Sequence, residues 1–278
     1  LPSSGFLGAV FLLVASILGV HKRSDSFWSD RWNYPLLIVA VWMIIGCFRA
    51  YSGWLAWIGL ANWLPLFWFF WSFQPYLRTM QARRSCALWL IAGSVPVVIT
   101  GFGQLWLGWE GPWQFLNGLI IWFMSPGGQP LGRLSGLFDY ANIAAAWLVV
   151  VWPFSLASVI QPLSTFRNRT LALIIALAIV SALILTDSRN GWGGLIVAIP
   201  FVLGPASWIW LLPSLTLIFL PVFFAVLPGV DIGIQQFARK IVPDSLWMRL
   251  NDMQFVDIRP LGSTRISQWN VAISFIQE

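Results

Sequence analysis

Three arginines in this sequence are flanked as anion ligands: Arg133, Arg189 and Arg265. Arg189 sits in Leu185-Thr186-Asp187-Ser188-Arg189-Asn190-Gly191-Trp192, a short polar break between two long apolar runs. A guanidinium offers a planar fork of donors that meets phosphate through two parallel charge-assisted hydrogen bonds, and it does not lose its proton. An arginine held at a membrane boundary beside a serine, an asparagine and a glycine therefore reads as a seat for an anion, with phosphate the best match. Arg133 follows Ser125-Pro126-Gly127-Gly128-Gln129-Pro130-Leu131-Gly132, whose proline and glycine content predicts irregular backbone able to approach a ligand closely. Arg265 lies in Ser263-Thr264-Arg265-Ile266-Ser267-Gln268-Trp269. A membrane-embedded pyrophosphate would use more than one of the three. Plainer roles compete: an arginine at a helix end can snorkel to headgroups, Asp187 is at hand for Arg189, and Asp252 and Asp257 lie upstream of Arg265.

Other chemistries are largely excluded. His21 is the only histidine and falls on the predicted inner side, so an outer Ser-His-Asp triad or histidine-rich metal site has no material. There is no GxxxxGK[ST] run. Gly101-Phe102-Gly103 and Gly191-Trp192-Gly193-Gly194 lack the rest of a dinucleotide fingerprint and read as close helix packing. Cys47 and Cys86 lie in or beside apolar runs, where cysteine acts as a small hydrophobe. No metal or cofactor is expected. Asp231, Asp244, Asp252 and Asp257 follow the last apolar run, and any of them could serve as a general base, although most exposed acids only solvate a surface.

The elements that position these residues follow from composition. Of the 278 residues 58% are apolar and 9% charged, and the mean hydropathy of +0.77 is far from a soluble average. The chain reads as an integral membrane protein with an all-α, polytopic transmembrane helical bundle, its 20 Trp and 21 Phe suited to lipid-facing and interfacial positions. Apolar runs over residues 5–20, 35–48, 53–73, 86–105, 142–160, 171–185, 192–203 and 209–227 predict about eight spans. Residues 113–124 fit a re-entrant or interfacial helix. Residues 1–228 then form the bundle, and residues 229–278 begin an extracytoplasmic loop region. Leu1 opens the chain without an initiator methionine and Glu278 closes it within a helical pattern, so further sequence is expected on both sides. Asp139 or Asn142 is expected to cap the helix that follows the glycine-rich loop.

Orientation follows from arginines in short loops. Arg78, Arg83 and Arg84 share one loop without an acid, and Arg167 and Arg169 another; positive loops stay cytoplasmic. Alternation then places residues 104–140, the Arg189 break and everything after residue 229 outside; Arg49 also falls outside, a dissent that snorkelling absorbs. The net charge of +6 is thus largely topological, and a nucleic-acid partner is not expected. The spans contain no Asp or Glu, which weakens any proton- or sodium-coupled transport mechanism.

The segments Arg133-Leu134-Ser135-Gly136-Leu137-Phe138-Asp139-Tyr140-Ala141-Asn142-Ile143-Ala144-Ala145, the run around Arg189, and Arg265-Ile266-Ser267-Gln268-Trp269 resemble, in order and spacing, the O-antigen ligase and polymerase family of bacterial membrane proteins. Within it the chain looks most like the cyanobacterial branch linked to inorganic carbon accumulation. The resemblance implies a glycosyltransferase of the cytoplasmic (inner) membrane. It would move glycan from undecaprenyl pyrophosphate to a glycan or lipid acceptor on the outer side, with Arg189 and Arg265 binding the pyrophosphate and Arg133 assisting. The family's ligases also use a histidine late in a large outer loop; this sequence shows no such residue and stops before the pattern would continue, so no base is assigned. A small-anion transporter, for bicarbonate as an example, is the alternative that the same arginines would serve.

Overall fold

The structure, a computed structural model, describes residues 3–23, 26–118, 120–161, 165–227, 229–250 and 265–277. It is mostly helical, with α1 Ser3–His21, α2 Asn33–Arg49, α3 Trp54–Phe73, α4 Met80–Trp106, α5 Ala141–Ile160, α6 Phe166–Leu185, α7 Arg189–Leu203 and α8 Pro205–Val226, each on one of the apolar runs. Among the described residues five stretches are long and apolar enough to cross a membrane: Trp54–Leu77, Met80–Trp106, Ala141–Ile160, Phe166–Leu185 and Pro205–Val226. This is a multi-pass membrane protein. At 1.5 Å per residue the 15 residues of α7 reach about 22 Å, short of a hydrocarbon core of about 30 Å.

The chain divides into two compact units, Leu1–Leu195 and Ile196–Glu278. In the first, α5 packs along α6 and α4, while α1 and α2 pack on α3. The pattern on α5 gives the reason: Ala141, Ala144, Ala145, Leu148, Val151 and Trp152 recur at helical spacing and are buried, while Ile143, Val150 and Phe154 leave the opposite face apolar and exposed. In a membrane that exposed face meets lipid rather than water.

Side-chain bonds sort the loops of this unit onto two ends. At one end Arg23 donates to the Trp71 carbonyl (2.7 Å) and to Gln74 Oε1 (2.9 Å). Arg84 donates to Gln161 Oε1 (3.1 Å), and Arg169 to the Gln161 carbonyl (3.5 Å). At the other end of α4, Gln104 binds the loop that precedes α5. The arginine-rich loops thus share one end and the Arg133 and Arg189 segments the other.

Two local expectations are corrected. Residues 113–124 form an antiparallel hairpin, β1 Trp113–Phe115 with β2 Ile120–Trp122, in the register Trp113↔Trp122, not a helix. The Asn117-Gly118 pair explains it: Leu116, Asn117 and Gly118 take φ of 51°, 55° and 86°, a left-handed turn that asparagine and glycine tolerate and a helix does not. The N-cap of α5 is Tyr140, without a side-chain cap bond, rather than Asp139 or Asn142. Asn142 lies inside the first turn, where its amide oxygen accepts from Arg133 instead of capping a backbone N–H.

In the second unit, α8 is followed by α9 Ile232–Ile241, α10 Asp244–Leu250 and α11 Arg265–Gln277. Asp231 caps α9 by accepting from the backbone N–H groups of Gly233 and Ile234. Ala238 and Val242 bury against Ala225 of α8, and Arg239 clamps the corner, donating to the Ala225 carbonyl (3.1 Å) with its guanidinium 4.4 Å from the Trp247 ring centre.

Candidate functional site

The polar end of the first unit is built around Gln104. Its amide lies in the apolar body of α4 and is 1% exposed, so it must be satisfied internally. Oε1 accepts from the backbone N–H of Ser135 (3.1 Å) and of Gly136 (2.8 Å), and Nε2 donates to the Ser125 carbonyl (2.7 Å) and to Ser135 Oγ (3.1 Å). One side chain therefore fixes both ends of the glycine-rich loop. Leu134, fully buried, fills the gap left by Gly101, where a Cβ would come within 2.7 Å of its side chain. Gly136, at φ 56°, approaches the Val97 carbonyl so closely that a Cβ would sit 3.0 Å from it. The Gly101-Phe102-Gly103 patch thus serves close packing, with Gly103 leaving room for the Trp109 ring.

Seating Leu134 delivers its neighbour to the Arg189 break. The Leu134 N–H donates to the Leu185 carbonyl (2.9 Å), and Arg133 Nε donates to the Thr186 carbonyl (2.8 Å). Arg133 Nη2 donates to Asn142 Oδ1 (2.9 Å). Arg133 is 8% exposed, so this guanidinium is a buried tie between the loop, the end of α6 and the start of α5. Burying a cation is costly unless it is well bonded, and carbonyl and amide oxygens supply part of that bonding.

The break itself is tight. Thr186 is fully buried and donates from Oγ1 to the Leu183 carbonyl (2.7 Å), closing α6. Asp187 takes φ 49°, the left-handed conformation that ends helices, and α7 starts two residues later. Arg189 is its first residue and is half-buried, with no acid in the first turn. Two residues separate Thr186 from Arg189, so their Cα atoms, three peptide units apart, are at most about 11 Å from each other. Arg133 and Arg189 accordingly converge on one short segment.

The start of α7 is held by α5. A Cβ on Gly191 would lie 3.2 Å from Ala145 Cβ, and one on Gly194 would lie 2.6 Å from Val149 Cγ1, while Trp152 Nε1 donates to the Leu195 carbonyl (3.1 Å). These contacts advance in the same direction along both helices, so α5 and α7 run parallel. Gly193 has nothing within 4 Å. The positive end of a helix dipole lies at the N-terminus, so backbone N–H groups in the first turn of α7 add to the positive field around Arg189.

Arg265 opens α11 in the second unit and is described in its backbone only. Asp252 and Asp257 lie outside the described residues. Asp231 is a helix cap, and Asp244 accepts from Trp247 Nε1 (3.1 Å). Among the described residues no group of three His, Cys, Asp or Glu side chains gathers. Gln104, Thr186 and Asn142 went unrecognised as parts of the site. The signal for Gln104 was an amide alone in an apolar run, which demands partners.

Comparison of the chain with protein-family models, characterised proteins and solved structures found no match.

Proposed function

We propose that this chain is a multi-pass membrane glycosyltransferase of the O-antigen ligase or polymerase type, seated in the bacterial cytoplasmic membrane and acting on its outer side. The substrate is a saccharide linked to undecaprenyl pyrophosphate. An acceptor hydroxyl of a glycan or lipid attacks the anomeric carbon, its proton passing to a base, and the bond to the pyrophosphate oxygen breaks with inversion. Undecaprenyl pyrophosphate leaves with the electron pair. Negative charge on the leaving group grows in the transition state, where guanidinium groups stabilise it without a metal. Arg189 and Arg265 are the pyrophosphate ligands, and Arg133 holds the Arg189 segment in place.

The observation that carries this reading is the position of Arg189. It heads α7 at the end of the first unit opposite Arg84 and Arg169, and that arginine-rich end is the inner one by the charge rule. The short reach of α7 fits a helix whose N-terminus is drawn in to line a site.

The test is reconstitution of the purified chain with an undecaprenyl-pyrophosphate-linked saccharide and an acceptor. Acceptor glycosylation with release of undecaprenyl pyrophosphate, and no bicarbonate uptake into proteoliposomes, is the expected result. Uptake without glycosyl transfer would replace the transferase by an anion carrier.

A further inference from the structure

At the arginine-rich end, a cleft of about 300 Å³ opens between α4, α5 and α6. Its wall is apolar where Leu88, Leu171 and Ile175 line it and polar where Arg84, Asn168 and Ser158 do. Ser155 also lines it and is 1% exposed, with its hydroxyl oxygen buried and lacking any hydrogen-bond partner. A buried hydroxyl without a partner costs about 1–3 kcal/mol, so its presence points to a ligand that completes it.

The charge at the mouth is one-signed. Arg84 and Arg169 both donate to Gln161, through Oε1 at 3.1 Å and the carbonyl at 3.5 Å, which gathers two guanidiniums around one neutral residue. The segments around them, residues 74–85 and 161–170, hold no Asp or Glu. Arg84 lines the cleft and engages Gln161 through Nη2, one of the three nitrogens of its guanidinium. Asn168 lies in the first turn of α6, whose N-terminal dipole also favours an anion.

We propose that this cleft is a binding site for an anionic phospholipid. The phosphate sits between Arg84 and Arg169, and an acyl chain runs along Leu88, Leu171 and Ile175. A glycerol ester oxygen accepts from the Ser155 hydroxyl. Membrane-protein pockets that are basic at the headgroup level and apolar below are built for such lipids. The site is far along α4 from Arg189 and separate from the transfer site.

Native mass spectrometry of the full chain in detergent tests this, with phosphatidylglycerol, phosphatidylcholine or inorganic phosphate added. Phosphatidylglycerol should be retained at least tenfold more tightly than phosphatidylcholine, with inorganic phosphate at millimolar concentration failing to displace it. Arg84→Gln with Arg169→Gln should remove that preference. Ser155→Leu, which fills the depth of the cleft with hydrocarbon, should weaken retention with both arginines intact; thermal unfolding of each variant checks that it is folded. Equal retention of the two lipids, an unchanged preference in the folded double variant, or displacement by inorganic phosphate overturns the proposal.

Discussion

Arg133 Nε donates to the Thr186 carbonyl at 2.8 Å across 53 residues of sequence, and this bond ties the glycine-rich loop to the segment that carries Arg189. Without it, the C-terminal carbonyl of α6 would be buried with one partner fewer. Arg133→Met should therefore destabilise the protein by about 1–3 kcal/mol, the cost of stranding a buried acceptor, while the exposed Asn142 amide turns to water. Arg133→Lys keeps the charge but cannot reach both oxygens with a planar fork, so an intermediate loss is expected. Thermal unfolding in detergent measures both.

Gln104 engages Ser125, Ser135 and Gly136 at once. Gln104→Ala leaves two backbone N–H groups and a carbonyl without this partner, and should cost about 3 kcal/mol. Limited proteolysis should then cut within residues 125–140, where the unsubstituted chain resists. Equal resistance in the two would show that the loop is held elsewhere.

Packing of α7 on α5 distinguishes neighbouring glycines. Gly194→Leu drives a side chain into Val149 and should lose about 1–3 kcal/mol by overpacking, whereas Gly193→Leu, with open space around it, should be near neutral. Both are read by the same unfolding assay, and similar losses would contradict the parallel α5–α7 contact.

The two ends of the first unit predict opposite labelling. In a chain freed of Cys47 and Cys86, Leu131→Cys should react with a membrane-impermeant maleimide on intact cells, because Leu131 is 82% exposed at the end that the proposed orientation places outside. Arg83→Cys and Arg167→Cys should react only after permeabilisation. Labelling of all three in intact cells would remove the topological basis of the proposed function.

The helices were legible because apolar runs of this length allow nothing else in lipid, and α1 to α8 each fall on a run visible in the sequence. Spans were harder: α7 is apolar yet too short to cross unaided, and length, not pattern, decides that. The hairpin at residues 113–122 was hidden because its tryptophans and isoleucines match an interfacial helix equally well; only Asn117-Gly118 signalled a turn. In the site, Arg133 and Arg189 were visible as charges in apolar surroundings, but their convergence depends on Gln104 and Leu134 seating a loop on α4, a tertiary fact without local periodicity. Asn142 was misassigned because a first-turn asparagine suits a cap as well as a ligand for arginine.

The transferase reading stands or falls with Arg189. In the reconstituted assay with a lipid-pyrophosphate-linked donor, Arg189→Ala and Arg265→Ala should each reduce glycosyl transfer by roughly 100-fold or more, the usual effect of removing one transition-state donor. Arg189→Lys should recover only part of that loss, since an ammonium lacks the bidentate fork. Unfolding temperatures should stay near that of the unsubstituted chain. Full transfer activity in Arg189→Ala and Arg265→Ala, both folded, would contradict the assignment of these arginines to the pyrophosphate.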